Sequence, residues 1–80
     1  MAKRQTAAEA YEANHRDILA MVEMLRAELA VHAQRAAAEP SNWGFAGTLG
    51  SVRRRIIEVL ATLSGHSEID IENALLDARK

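Results

Sequence analysis

The chain has 80 residues, of which 49% are hydrophobic and 26% charged, a composition typical of a folded soluble domain and not of a disordered segment. Its net charge is -1 and it has no cysteine, which excludes disulfides and cysteine-ligated zinc and argues against nucleic-acid binding through bulk positive charge. The sequence shows no signal peptide and no run of about 18 apolar residues, so we expect a cytoplasmic protein without a membrane span.

The small size of the chain bears on how it is stabilised. A domain of this length buries only about 60% of its unfolded surface. Because disulfides and a cysteine zinc site are excluded, self-association is the remaining common source of stability. We therefore expect residues 1–80 to form a single helical domain that associates with a second copy.

The first predicted helix covers about residues 7–38. Thr6 and Glu9 have the spacing of a capping box, and Pro40 disfavours helical geometry at the residue before it. Such a helix is about 48 Å long, whereas a compact sphere of 80 residues is only about 30 Å across. A compact monomer therefore cannot bury both ends of this helix.

Two apolar stripes run along this helix at helical spacing. The first stripe is the larger, and we expect it to form the intrachain core: Tyr11, Ile18, Val22, Leu25, Leu29 and His32. The second stripe lies roughly opposite and consists of Ala20, Met24, Ala27 and Val31. We predict that the second stripe packs against its own copy in a two-fold dimer, with Met24 and Val31 as candidate partner-binding residues. The alternative is that its alanines serve only helix propensity.

The second predicted helix covers about residues 43–64 and places one apolar face along its length, formed by Phe45, Leu49, Val52, Ile56, Leu60 and Leu63. Gly44, Gly47 and Gly50 fall within its first turns. Either they form a small-residue strip that admits another backbone, or the helix begins only near Thr48 with the glycines in a loop. We favour the strip because Phe45 is already in helical register.

The third predicted helix covers about residues 67–78. Gly65 is suited to the left-handed conformation that ends the preceding helix, and Ser67 is suited to begin the next. The predicted fold class is thus all-α, with one long helix followed by two shorter helices, and a helical bundle completed by homodimerisation.

Trp43 and Phe45 are the most distinctive local feature, because they place two of the three aromatic residues beside a glycine at a helix start. The simpler interpretation is that both side chains fill the end of a small core. The alternative is that they anchor a protein partner, as interface aromatics do. We keep both residues as candidate partner-binding residues.

The basic run Arg53, Arg54 and Arg55 is the candidate nucleic-acid-binding site, although three consecutive residues fan over about 200° of a helix and do not form one patch. Glu12 and His15 have the Glu-x-x-His spacing of di-metal bundles, but further inward carboxylates are missing. We therefore expect no enzyme, no metal and no cofactor. The predicted function is a non-enzymatic interaction module that binds itself and a protein partner, and the alternative is a dimeric nucleic-acid-binding regulator.

Overall fold

The computed structural model describes residues 4–79, so the outermost residues of the predicted domain, 1–3 and 80, lie outside the described residues. The described residues form three helices and no strand: α1 (Ala7–Ala38), α2 (Trp43–Ser64) and α3 (Glu68–Ala78). This confirms an all-α chain with one long helix followed by two shorter helices. The chain divides into two compact units, Met1–Pro40 and Ser41–Lys80, which are described separately. The single domain over residues 1–80 stays a prediction.

The ends of α1 follow from local chemistry. The Thr6 hydroxyl accepts a hydrogen bond from the Glu9 backbone N–H at 3.1 Å, and the Glu9 carboxylate accepts one from the Thr6 N–H at 3.2 Å. This reciprocal pair is the predicted capping box, and it satisfies two N–H groups that have no intrahelical partner. At the other end, Glu39 leaves helical geometry directly before Pro40, because proline disfavours the helical region for the residue that precedes it.

No residue of α1 is buried. On the first stripe, Tyr11 is 73% exposed, Ile18 44% and Leu29 41%. Nothing within the first unit covers this stripe, because α1 is the single helix of that unit. The prediction that the stripe forms the intrachain core therefore stays a prediction.

The start of α2 resolves the two interpretations of its glycines. The helix begins at Trp43, with Asn42 as its N-cap, whose side-chain oxygen accepts a hydrogen bond from the Gly44 N–H at 2.9 Å. All three glycines thus lie inside the helix, and the loop interpretation is wrong. The helix ends at Gly65, which takes a φ of 76° in the left-handed region, as predicted for a C-terminal glycine.

The second unit is a pair of packed helices, α2 and α3. Ser67 is the N-cap of α3 and forms a second capping box with Asp70, so the helix itself begins at Glu68, one residue after the predicted start. Ile57 of α2, at 4% exposure, is the only buried hydrophobic residue among those described. Half-buried side chains lie in both helices of the pair: Val52, Ile56, Ala61, Ile71 and Leu75.

The predicted apolar face of α2 is covered only in part, with Phe45, Val52 and Ile56 half-buried. Leu49, Leu60 and Leu63 of that face are 40%, 43% and 72% exposed. Ile57, which was not part of it, is the buried residue instead. Ile57 lies one helical turn after Arg53, which contacts α3, and the apolar periodicity of α2 alone does not single out this position.

Candidate functional site: exposed apolar surfaces and the Arg53–Glu72 pair

Most residues of both stripes of α1 are exposed, whereas Leu25 and His32 of the first stripe are half-buried. On the second stripe, Met24 is 64% and Val31 41% exposed. Two further apolar residues at the side of the first stripe, Leu19 and Met21, are 56% and 53% exposed. A helix with apolar residues on most of its circumference is usually covered by other elements on more than one side. This helix therefore presents the largest uncovered apolar surface of the first unit.

The two aromatic candidates differ in their surroundings. Trp43, the first residue of α2, is 85% exposed, so it does not fill the end of the α2–α3 core. Phe45 is half-buried. A Cβ atom added at Gly44, between them, would lie 3.0 Å from the Asn42 Oδ1 atom that caps the helix. Glycine at this position therefore keeps the N-cap undisturbed while the indole projects into solvent.

Gly47 and Gly50 have no such local role. A Cβ atom added at either one would meet nothing within 4 Å. Each glycine inside a helix nevertheless costs about 1 kcal/mol relative to alanine. Together with Gly44 they leave a small-residue surface near the start of α2, which fits the predicted strip and has no neighbour at Gly47 or Gly50 within the described part of the second unit.

Arg53 and Glu72 join α2 to α3. The two guanidinium nitrogens of Arg53 donate hydrogen bonds of 2.6 and 2.7 Å to the two carboxylate oxygens of Glu72. The hydrogen bonds from Arg53 hold the pKa of Glu72 below its usual value, and the positive charges of Arg53 and Arg79 act in the same direction. The same pair raises the pKa of Arg53. Fork-to-fork pairing of this kind fixes orientation as well as supplying energy.

The engagement of Arg53 bears on the predicted nucleic-acid site. One of the three arginines is committed to a carboxylate of α3, while Arg54 and Arg55 lie at exposed positions. Nucleic-acid binding by this run stays a prediction. Electrophoretic mobility shifts at low salt, compared between the parent and a variant with Arg54→Gln and Arg55→Gln, test it directly.

The Glu-x-x-His pair of α1 makes local contacts. Glu12 lies 3.6 Å from the Arg16 guanidinium, one helical turn later. The His15 ring stacks on Tyr11, with ring centroids 6.1 Å apart and an angle of 17° between the planes. Within the part of the chain that the structure describes, no three His, Asp or Glu side chains lie close enough to hold a metal ion.

An open depression of about 420 Å³ lies on the second unit, lined by His66, Asp70, Ile71 and Ala74. The Asp70 side chain already accepts a hydrogen bond from the Ser67 N–H as part of the cap of α3. The Asp70 carboxylate therefore caps the start of α3. The depression is mainly an uncovered surface of that helix.

The described helices include none that combines the length and the apolar character needed to cross a membrane. The chain matches no family model, and neither a curated protein nor a solved structure is significantly similar to it.

Proposed function

We propose that this chain is a non-enzymatic helical interaction module of the cytoplasm, which associates with a second copy of itself and binds a protein partner. The observation that carries the proposal is the scarcity of burial. Among the described residues, Ile57 is the only buried hydrophobic residue, whereas fifteen large hydrophobic residues are 40% to 85% exposed. Apolar surface on this scale typically marks a site of protein interaction.

The energetics of folding support association. Fixing the backbone costs about 1–2 kcal/mol per residue, and full burial of one isoleucine returns only about 1.5–3 kcal/mol. An isolated helix gains little beyond its own hydrogen bonds, and most helical stability in proteins comes from packing of an apolar face. Helix α1, with no buried residue, therefore needs a covering partner to be stably folded.

The proposed partner-binding residues are Trp43 and Phe45 of α2 and Met24 and Val31 of α1. Trp43 at the start of α2 has the size and exposure of an interface anchor, with Phe45 beside it. Met24 and Val31 form a second apolar surface on α1, and methionine adapts readily to different partner surfaces. Self-association would supply stability, and these residues would supply recognition.

The non-enzymatic part of the proposal follows from how the acidic side chains are used. Glu9 and Asp70 complete helix caps, Glu12 pairs with Arg16, and Glu72 pairs with Arg53. Side chains bound in such local contacts stabilise helices and helix pairs. We therefore assign them structural roles.

The proposed self-association can be tested because it couples folding to protein concentration. If folding requires a second copy, the unfolding temperature rises with protein concentration by mass action. Circular dichroism at 222 nm, recorded during heating at about 1 and about 100 µM, measures this shift. We expect a higher midpoint at the higher concentration. A helical chain that unfolds at the same temperature at both concentrations would contradict the proposal.

A further inference from the structure

The first stripe of α1 belongs to a longer seven-residue repeat. Two positions of this repeat, conventionally named a and d, recur without interruption from Ala8 to Ala36. Position a holds Ala8, His15, Val22, Leu29 and Ala36, and position d holds Tyr11, Ile18, Leu25 and His32. These nine residues are named the seam, and none of them is buried. Large apolar residues at a and d are typical of a coiled coil, and the seam has them at its middle in Tyr11, Ile18, Val22, Leu25 and Leu29.

The strict repeat indicates the kind of element that covers the seam. On a straight helix, a seven-residue repeat drifts by about 20° per heptad, which amounts to about 80° over the four heptads of the seam. The drift is removed when two long helices supercoil around each other. Helix α1 has 32 residues, whereas α2 and α3 have 22 and 11. A second copy of α1 therefore matches the seam in both length and repeat.

The residues beside the seam distinguish the two orientations of such a pair. Leu19 occupies position e and Met21 position g, and both are more than half exposed. In a parallel pair, each g residue faces the e residue five positions later in the second helix. Met21 would then face Arg26 of the second copy, and Asn14 would face Leu19. The parallel pair also places His15 against His15 within the seam.

In an antiparallel pair, the residues that flank the seam face residues of the same heptad position. In this orientation e residues face e residues and g residues face g residues. If residue n lies level with residue 40 minus n, facing e residues and facing g residues are displaced by only two residues, or about 3 Å, along the axis. Leu19 then faces Leu19, Met21 faces Met21, and Glu12 faces Arg26 of the second copy. The seam layers then combine Ala8 with His32, Tyr11 with Leu29, His15 with Leu25, and Ile18 with Val22. Exposed apolar residues meet each other, and opposite charges meet at both ends.

Other antiparallel registers lose this complementarity. Sliding the helices by one heptad places residue n level with residue 47 minus n. Leu19 then faces Arg26 and Met21 faces Glu28 of the second copy. The first register is the one in which both apolar flanking residues are covered by apolar partners.

We propose that α1 pairs with α1 of a second copy as an antiparallel coiled coil through the seam, with the two-fold axis near residue 20. This inference rests on the self-association proposed above and adds its surface, orientation and register. Met24 and Val31 occupy position c, away from the seam. The pair therefore covers the first stripe and leaves the second stripe for a protein partner.

Disulfide trapping tests the orientation, because the chain has no cysteine of its own. In the proposed register, residue 19 is offset from its copy by only about 3 Å along the axis, and residue 36 by about 48 Å. In a parallel pair, Ala36 would face Ala36 directly at position a. Leu19→Cys and the matched control Ala36→Cys are equilibrated in a glutathione redox buffer and compared on non-reducing gels, with masses measured by light scattering.

We expect Leu19→Cys to form a disulfide-linked dimer and Ala36→Cys to remain unlinked. A linked Ala36→Cys dimer would overturn the antiparallel orientation. A dimeric mass with neither variant linked would overturn the register. Both of these results leave the self-association of the proposed function standing. A monomeric mass for both variants and the parent chain would overturn the proposed function as well.

A charge exchange tests the predicted pair between Glu12 and Arg26. Glu12→Arg places like charges together at two symmetric sites and should weaken dimerisation about three- to ten-fold. Adding Arg26→Glu should restore the affinity. The matched control adds Arg16→Glu instead, because Arg16 is the partner of Glu12 within the same helix, at 3.6 Å. Restoration by Arg16→Glu and not by Arg26→Glu would overturn the proposed register.

Discussion

Replacing Ile18 by alanine tests whether the seam is covered in the assembled protein. Ile18 is 44% exposed in the single chain, and full burial of such a side chain contributes about 1.5–3 kcal/mol. The share gained on association is then about 0.7–1.3 kcal/mol per copy. Because a two-fold dimer contains the residue twice, Ile18→Ala should weaken the dimer by about 1.3–2.6 kcal/mol, or about ten- to seventy-fold in affinity.

The substitution Ile18→Ala reports on packing and not on helix propensity, because alanine is the better helix former and does not weaken α1 as a helix. Met24→Ala is the matched control, since Met24 is an exposed apolar residue of the same helix outside the seam. Sedimentation equilibrium of the parent and both variants gives the dimer dissociation constants. We expect a large loss of affinity for Ile18→Ala and little change for Met24→Ala. The reverse order would show that the second stripe is the dimer interface.

Four further substitutions test local features of the helices. Glu72→Gln removes the bidentate partner of Arg53. Because the folded-state pKa of Glu72 is lowered, its contribution to stability is present above the unfolded-state pKa and is lost as the pH falls through the folded value. The parent should thus lose more thermal stability than Glu72→Gln between pH 6 and pH 3, and equal losses would refute this role for the pair. Gly47→Ala meets open space and should stabilise α2 by about 1 kcal/mol in urea unfolding at low concentration, whereas destabilisation would indicate a backbone packed against it. Gly65→Ala places a Cβ at a φ of 76° and should destabilise the α2–α3 pair by about 1 kcal/mol; unchanged urea unfolding would refute strain at this position. Thr6→Ala removes one half of the capping box and should cost about 1 kcal/mol, seen as reduced helicity near the start of α1 by NMR chemical shifts; unchanged shifts there would show that the cap contributes little.

Features that depend on a few neighbouring residues could be predicted from the sequence. The capping box of Thr6, the end of α1 before Pro40, and the left-handed conformation of Gly65 each follow from the backbone chemistry of a short segment. The same holds for Ser67, which was placed at the correct helix start within one residue. Local hydrogen-bonding rules therefore account for the helix ends.

Packing was harder to predict because it depends on residues far apart in the chain. Arg53 of α2 contacts Glu72 of α3, and at intervals of one helical turn after Arg53, Ile57 is buried and Ala61 is half-buried. An arginine and an alanine carry no strong apolar signal, so periodicity favoured the neighbouring Leu-rich line instead. The bond from Arg53 to Glu72 spans 19 residues of sequence and forms only because the two helices pack together.

The exposure of the candidate interaction residues was hard to predict for the same reason. Tryptophan is large and apolar, as core residues are, but the 85% exposure of Trp43 depends on what packs near the start of α2. The first stripe of α1 was expected to lie in the intrachain core for a similar reason. An apolar stripe indicates that a helix face is to be covered, without indicating whether the cover comes from the same chain or from another.

The solution mass of the parent chain at several concentrations tests the central claim most directly. The claim is that the exposed apolar face of α1 is covered by a second copy, so light scattering should give about twice the chain mass of 8.8 kDa where the protein is helical. Dilution should lower both the mass and the helix content together. A fully helical protein with the mass of one chain at high concentration would contradict the account.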